Sequence, residues 1–121
     1  MTTFAGGSFV GALITISVLS LTALRTEPVF VYGTLTQPVF RTYACLCFVG
    51  ATPAQLPGFE KAGRTIHKTN HSVVPGQLIT VSKQELRLLD RYEGVPDRYR
   101  RITVRLRDGT TAEVYQRVTD G

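Results

Sequence analysis

Val29-Phe-Val-Tyr-Gly-Thr-Leu35 and Leu88-Leu-Asp-Arg-Tyr-Glu-Gly94 are the two stretches that decide the fold of this chain. The first is a run of β-branched and aromatic residues that ends in glycine, which is typical of a strand followed by a turn. The second ends a helical pattern in an acidic residue and a glycine, which is a helix stop signal. We expect the strand end and the helix end to supply backbone N–H groups and one poorly solvated carboxylate for acid–base chemistry.

The helix is the element that local signals define best. Ser82-Lys-Gln-Glu85 is a capping box, in which the serine caps the helix and the glutamate returns the bond. The helix is predicted over residues 83–92, with Gly94 as the residue that follows its C-terminus. Pro96 prevents the helix from continuing.

Strand patterns dominate the rest of the chain. Tyr99–Leu106 alternates apolar and polar residues, Asp108-Gly109 is a hairpin turn signal, and Thr111–Val118 is the returning strand. The predicted fold is therefore α+β, a curled, mixed but largely antiparallel sheet, barrel-like, with one or two short helices.

The middle of the chain carries weaker signals, which we interpret as an alternation of short elements. They are a short helix over residues 38–46, an extended segment Val49–Leu56, a turn at Pro57-Gly58, a strand Phe59–His67, a polar loop Lys68–Ser72, and a strand Val73–Val81. The last strand is expected to be broken at Pro75-Gly76, by a bulge or a close backbone approach.

Composition restricts the classes of function. The chain has 121 residues, is 43% hydrophobic and carries a net charge of +5, which fits one globular domain. The densest basic cluster is Arg98-Tyr-Arg-Arg101, and it continues at strand spacing with Arg105 and Arg107. This alternation is typical of a solvated strand face, so we do not expect a nucleic-acid partner.

The N-terminal stretch is apolar and allows several interpretations. Residues 2–24 carry no charge, and the first basic residue is Arg25. Residues 4–24 could form a membrane anchor, an irregular signal peptide, non-native residues from a mis-called start, or an element packed on the domain. The expected division is an extension at 1–27 and a domain at 28–121, located in the cytoplasm or, alternatively, anchored to a membrane.

Cys45 and Cys47 are interpreted as unpaired thiols. On a strand they would share one face, at a spacing that strains a disulfide, and free thiols suggest a reducing compartment. His67 and His71 form only a weak i,i+4 pair. No metal site is predicted.

Glu93 is the candidate catalytic residue. It lies on the same helical face as Leu86 and Leu89, which should meet the core, and in the last turn of the helix. Burial and the helix dipole both disfavour the ionised carboxylate, so its pKa is expected to rise, as suits a general acid or base. The alternative is a solvated glutamate paired with one of the arginines at 98, 100 and 101.

Other polar residues have local interpretations. Asp90 is expected to pair with Arg87 or Arg91. Tyr32-Gly33-Thr34-Leu35 is either an ordinary turn or a loop whose N–H groups hold a carboxylate or an oxyanion. Tyr99 and Tyr115 are either half-buried strand aromatics or residues of the site.

The order of the motifs resembles the gamma-glutamylcyclotransferase-like superfamily over roughly residues 28–117. The motifs that carry the resemblance are Val31-Tyr-Gly-Thr-Leu35, Val74-Pro-Gly-Gln-Leu78, Leu89-Asp-Arg-Tyr-Glu-Gly-Val95, Tyr99-Arg-Arg101, Asp108-Gly109 and Ala112-Glu-Val-Tyr115. The resemblance implies a small barrel that converts a γ-glutamyl compound to 5-oxoproline and a free amine, without a cofactor.

The resemblance also implies roles for individual residues. Glu93 corresponds to the family's catalytic glutamate, and Tyr32, Gly33, Thr34 and Leu35 to the loop that holds the glutamyl α-carboxylate and α-amine. Tyr99 and Tyr115 are implied to line the substrate pocket. The implied partner is a small γ-glutamyl substrate, while the sequence predicts no oligomeric state.

The chain also departs from the family pattern. Its apolar extension precedes the point where most members begin, residues 36–57 lack a clean helix, and relatives often continue beyond the position of Tyr115 with a segment that closes the pocket. The alternative functions are a non-catalytic module of the same fold that binds a small metabolite, and a membrane-tethered interaction domain.

Overall fold

The computed structural model describes residues 25–37 and 49–119. These residues form five strands, a short 3₁₀-helix and one α-helix. In chain order they are β1 (Glu27–Val31), the 3₁₀-helix (Thr34–Thr36), β2 (Thr52–Ala62), β3 (Thr65–Val81), α1 (Lys83–Glu93), β4 (Tyr99–Arg105) and β5 (Thr111–Arg117). The predicted anchor at 4–24, the predicted helix at 38–46, Cys45 and Cys47 lie outside the described residues.

The five strands form one mixed sheet in the order β2-β3-β1-β5-β4. The neighbouring strands are antiparallel except β1 and β5, which are parallel, with Val29 opposite Glu113. The sheet curls so that the β4–β5 turn reaches β2, where the Arg107 N–H donates to the Gln55 carbonyl at 2.9 Å. The result is a half-barrel with one helix among the described residues, which confirms the predicted α+β class.

Strand β1 lies at the centre of the sheet and contributes to both sides of the core. Val29 and Val31 pack with α1 residues Leu86 and Leu89 on one side, while Phe30 packs into a second cluster on the other side. A central strand covered on both faces is expected to be apolar at successive positions, as this strand is. The end of β1 is therefore held rigidly where the turn at Gly33 begins.

The helix and the final hairpin have the predicted local structure. The Ser82 hydroxyl accepts from the Glu85 N–H at 3.1 Å, and the Glu85 carboxylate accepts from the Ser82 N–H at 2.8 Å. Gly94 follows the helix in the left-handed conformation, with φ 75° and ψ 40°. The hairpin between β4 and β5 turns at Gly109, which has φ 91°.

Several predictions in the middle of the chain are wrong. Phe59–His67 is not one strand, because the chain turns at Gly63-Arg64 between β2 and β3. Pro57-Gly58 does not reverse the chain, and Lys68–Ser72 is not a loop, because both lie inside the long strands β2 and β3. Between them the register shifts, so that Val73 pairs with Pro57 whereas Lys68 pairs with Phe59. Gly58, with φ 83°, accommodates this irregularity. Residues 69–72 of β3 are the extra residues, and they lie opposite Gly58.

Strand β3 is also unbroken at Pro75-Gly76, since both residues remain paired with β2. The predicted close backbone approach at Gly76 is confirmed. A Cβ at this position would lie 2.7 Å from Cζ of Phe30 and still closer to the carbonyl oxygen of Val31. Gly76 therefore allows β3 to lie against the end of β1.

Candidate active site

A cavity of about 770 Å³ opens where the ends of several elements meet. Its walls come from the end of β1 and the following 3₁₀-helix, the β2–β3 hairpin, the end of α1, the start of β4, and β5. The lining residues are Val31, Tyr32, Gly33, Leu35, Thr36, Gln37, Lys61, Gly63, Arg64, Tyr92, Glu93, Arg98, Tyr99 and Tyr115. A volume of this size is typical of pockets that hold small organic molecules.

Helix α1 brings Glu93 to the wall of this cavity. Leu86 and Leu89 anchor the helix in the core, and Glu93 follows them on the same face as its last residue. The side chain is half-buried. Gly94 then bends the chain away, and its N–H and that of Val95 cap the carbonyls of the last turn.

The environment of Glu93 favours its neutral form. Burial raises the pKa of the carboxyl, and the positive charge of Arg98 opposes part of that rise. Within the described part of the chain, no basic side chain forms an ion pair with Glu93. Arg100 instead donates to Gln116, at 2.8 and 3.1 Å. Glu93 is thus a carboxyl group with a raised pKa that faces open space.

Asp90 has a different partner from the one predicted. It does not pair with Arg87 or Arg91 but accepts from Arg101 Nε at 2.8 Å and from the Tyr115 hydroxyl at 2.7 Å. Asp90 bonds to these distant residues because the fold brings Arg101 of β4 and Tyr115 of β5 to the same carboxylate oxygen. Arg101 also donates to Glu113, at 2.8 Å, and this completes a polar network beside the cavity.

The same network positions two tyrosines that line the cavity, Tyr115 and, through it, Tyr32. The Tyr115 hydroxyl donates to Asp90, and the Tyr32 hydroxyl donates to the main-chain oxygen of Tyr115. Burial is the main cause that raises the pKa of both hydroxyls. The two phenols therefore stay protonated at neutral pH and act as fixed donors rather than as bases.

The turn after β1 lines the cavity opposite the helix end. Gly33 accepts from the Thr36 N–H at 3.0 Å and from the Thr36 hydroxyl at 2.6 Å, while Thr34 begins the 3₁₀-helix and Leu35 is buried. A Cβ added at Gly33 would meet no heavy atom within 4 Å. Open space therefore lies directly beside the backbone at this point.

Tyr99 joins two walls of the cavity. Its ring lines the cavity at the start of β4, and its hydroxyl donates to the Arg64 carbonyl, at 2.8 Å, in the β2–β3 hairpin. Sequence reasoning missed the two hairpin cations, Lys61 and Arg64. No local pattern indicates them, because only the curl of the sheet brings the hairpin to the site.

The structure thus brings the side chains or backbone of Tyr32, Gly33, Leu35, Glu93, Tyr99 and Tyr115 to one cavity. Thr34 lies in the same turn. No group of three His, Cys, Asp or Glu residues in the described ranges could hold a metal ion. The described ranges also contain no helix that is long and apolar enough to cross a membrane.

Comparison with known proteins gives one family. The model of the family described as "Gamma-glutamyl cyclotransferase, AIG2-like" matches residues 29–119. No curated protein matches the chain.

Solved structures share the fold. One Arabidopsis thaliana protein, solved in solution, is 27% identical with a TM-score of 0.65, and the alignment covers 81% of this chain and 72% of that one. A second Arabidopsis thaliana protein is 30% identical with a TM-score of 0.65, covering 76% of this chain and 62% of that one. A structure named gamma-glutamyl cyclotransferase is similar in fold, at 19% identity and a TM-score of 0.63, covering 77% of this chain and 67% of that one.

Proposed function

Because the chain belongs to the gamma-glutamyl cyclotransferase, AIG2-like family, we propose that it cyclises a γ-glutamyl amine or amino acid to 5-oxoproline. The substrate's own α-amine attacks its γ-carbonyl carbon, a new C–N bond closes the five-membered ring, and the original amide C–N bond breaks. The products are 5-oxoproline and the released amine. No water is consumed and no electron is transferred, so no cofactor is needed.

The observation that carries the proposal is the state of Glu93. Its carboxyl group is half-buried at a cavity wall, has a raised pKa and forms no ion pair with the described basic residues. A carboxyl group kept only for stability would be expected to have a cationic partner, as Asp90 and Glu113 have in Arg101. A raised pKa makes a carboxylate a stronger base and a better proton shuttle near neutral pH.

Glu93 would handle both proton transfers of the reaction. As a carboxylate it accepts a proton from the α-amine as that nitrogen attacks the γ-carbonyl. The same proton then passes to the leaving nitrogen, which departs as a neutral amine. One residue can serve both steps because the two nitrogens lie on the same carbon in the tetrahedral intermediate.

The cavity walls would supply orientation and charge stabilisation. The backbone of the turn at residues 32–35 would hold the glutamyl α-carboxylate and α-amine, in the open space beside Gly33. Tyr99 and Tyr115 would confine the chain of the substrate, so that the amine lies within reach of the γ-carbonyl. For an intramolecular reaction, this restriction of conformers is a large part of catalysis.

The test is release of 5-oxoproline from a panel of γ-glutamyl amines and amino acids. We expect turnover by the wild type and a loss of about 10²–10⁴-fold in kcat for Glu93→Gln, the range for removal of a general acid–base. Glu60→Gln is the matched control, because Glu60 is exposed on β2 and does not line the cavity.

The outcomes separate the two functions of this fold. Turnover that collapses in Glu93→Gln and persists in Glu60→Gln supports the cyclotransferase. A folded wild-type protein that binds γ-glutamyl compounds but releases no 5-oxoproline from any of them would overturn it. The result would favour the non-catalytic, metabolite-binding alternative.

A further inference from the structure

The charges around the cavity are unequal. Three basic residues line it, Lys61, Arg64 and Arg98, whereas Glu93 is the one acidic residue among its described lining. Arg98 acts electrostatically on Glu93 and donates to the Tyr92 carbonyl at the end of α1, at 3.3 Å. Lys61 and Arg64 have no such role. The carboxylates of the described residues form no ion pair with either.

The two unassigned cations lie at the end of the β2–β3 hairpin, on either side of Gly63, whose φ is 62°. The neighbouring acidic residue, Glu60, precedes Lys61 along β2 and projects from the opposite face by the alternation of a strand. It does not line the cavity. The hairpin therefore places two exposed cations at the wall of the cavity, where no carboxylate of the described residues neutralises them.

The backbone of the hairpin end is fixed by the opposite wall. Tyr99 donates its hydroxyl to the Arg64 carbonyl, the Arg117 N–H donates to the Thr65 hydroxyl at 2.9 Å, and Gln116 Nε2 donates to the Ile66 carbonyl at 3.1 Å. Three hydrogen bonds from β4 and β5 thus hold three successive residues. Arg64 is one of these three residues, and Lys61 on β2 is paired with Ile66, another of them. Both side chains therefore project from a supported backbone, as specific contact with a ligand requires.

We propose that Lys61 and Arg64 form a subsite for a carboxylate on the leaving group, so that the substrates are γ-glutamyl compounds of amino acids or peptides. This inference rests on the proposed cyclisation. The γ-glutamyl part of any substrate carries one α-carboxylate, which the turn at residues 32–35 would hold. A second carboxylate, on the released amine, matches the two remaining cations. A polyamine leaving group would bring further positive charge to the same wall and is disfavoured.

The test uses two substrates that differ in one group, L-γ-glutamyl-L-alanine and L-γ-glutamyl-L-alaninamide. We expect the wild type to prefer the acid in kcat/KM by about 10-fold, and the preference to fall about 3-fold for Lys61→Gln or for Arg64→Gln, as for pairs of exposed charges. The double variant is expected to treat the two substrates alike. Lys68→Gln, which removes a charge from β3 away from the cavity, should keep the wild-type preference.

Binding of the same two compounds, measured by calorimetry on Glu93→Gln, separates this inference from the proposed reaction. Tighter binding of the acid, lost in variants that also carry Lys61→Gln and Arg64→Gln, supports the subsite even if no turnover is ever observed. Equal affinity for acid and amide overturns the subsite, whatever the turnover. An equal loss of preference in Lys68→Gln also overturns it, since the effect would then come from net charge alone.

Discussion

At the scale of single residues, Glu93 illustrates what a helical pattern can predict. Its spacing from Leu86 and Leu89 predicted burial and a raised pKa, and both hold. The sequence offered the arginines at 98, 100 and 101 as partners of Glu93 without deciding among them. The structure selects Arg98, because the turn that begins at Gly94 returns its side chain to the helix end. Its Nε would lie 2.7 Å from a Cβ at Gly94, so the glycine also makes room for the arginine.

The raised pKa of Glu93 has a consequence for stability. In the unfolded state the Glu93 carboxyl group loses its proton near pH 4.5, its ordinary pKa, whereas in the folded state it keeps the proton to a higher pH. Ionised Glu93 therefore costs stability as pH rises from about 4.5 through the folded pKa. We expect Glu93→Gln to be more stable relative to wild type at pH 7 than at pH 4, as measured by urea unfolding. A difference independent of pH would contradict this account.

Arg98 should set the acidic limb of the pH profile of kcat/KM. Its positive charge lowers the pKa of Glu93, so removing that charge in Arg98→Gln is expected to move the limb to higher pH. Arg100→Gln is the control, because Arg100 donates to Gln116 and does not line the cavity. An unmoved limb in Arg98→Gln would mean that another group, not Glu93, titrates in the reaction.

Asp90 should contribute to stability through its two donors. Asp90→Asn removes the charge that Arg101 and the Tyr115 hydroxyl bind, and we expect a loss of about 2 kcal/mol in the free energy of unfolding. Asp97→Asn, at an exposed loop position, should change it little. Equal effects of the two variants in denaturant titrations would show that the network contributes nothing beyond surface charge.

At the scale of elements, those formed by interactions between residues close in the sequence were predicted correctly, and those that depend on a distant strand were not. Helix α1 and the β4–β5 hairpin were predicted because their signals, the capping box and Asp108-Gly109, act within a few residues. Lys68–Ser72 was predicted as a loop because its residues are polar. The segment is extended because β3 continues through it, with Lys68 paired to Phe59 and Val73 to Pro57 of β2 on either side of the register shift. No pattern inside the segment itself encodes that partner strand.

Two glycines should differ sharply in their tolerance of a methyl group. Gly76→Ala forces a Cβ into Phe30 and the Val31 carbonyl, where β3 lies against β1, and we expect a loss of about 2–3 kcal/mol, typical of overpacking. Gly33→Ala meets no heavy atom within 4 Å and should leave stability unchanged, while a rise in KM is expected from the filled space in the cavity. Thermal unfolding of both variants is the measurement. Similar melting temperatures would contradict the close packing at Gly76.

At the scale of the whole molecule, the cavity exists because distant parts of the chain meet. Sequence reasoning identified the residues at the ends of β1 and α1 and on β4 and β5, since each lies in a recognisable motif. It missed Lys61 and Arg64 because their position depends on the curl of the sheet. That curl is the sum of strand twist and of hydrogen bonds across the half-barrel, such as that from Arg107 to Gln55.

Tyr99 tests whether these cross-wall bonds hold the site together. Tyr99→Phe keeps the ring but removes the hydrogen bond to the Arg64 carbonyl, and we expect a loss of about 1 kcal/mol in global stability. Amide exchange should accelerate most at the hairpin end, residues 62–66, since that wall loses one of its three fixing bonds. Tyr92→Phe is the control, because no hydrogen bond joins its hydroxyl to another described residue.

If exchange at the hairpin end stays as slow as in wild type while global stability falls, the hairpin is held by its own strand pairing. In that case the cations at its end are positioned by β2 and β3 alone.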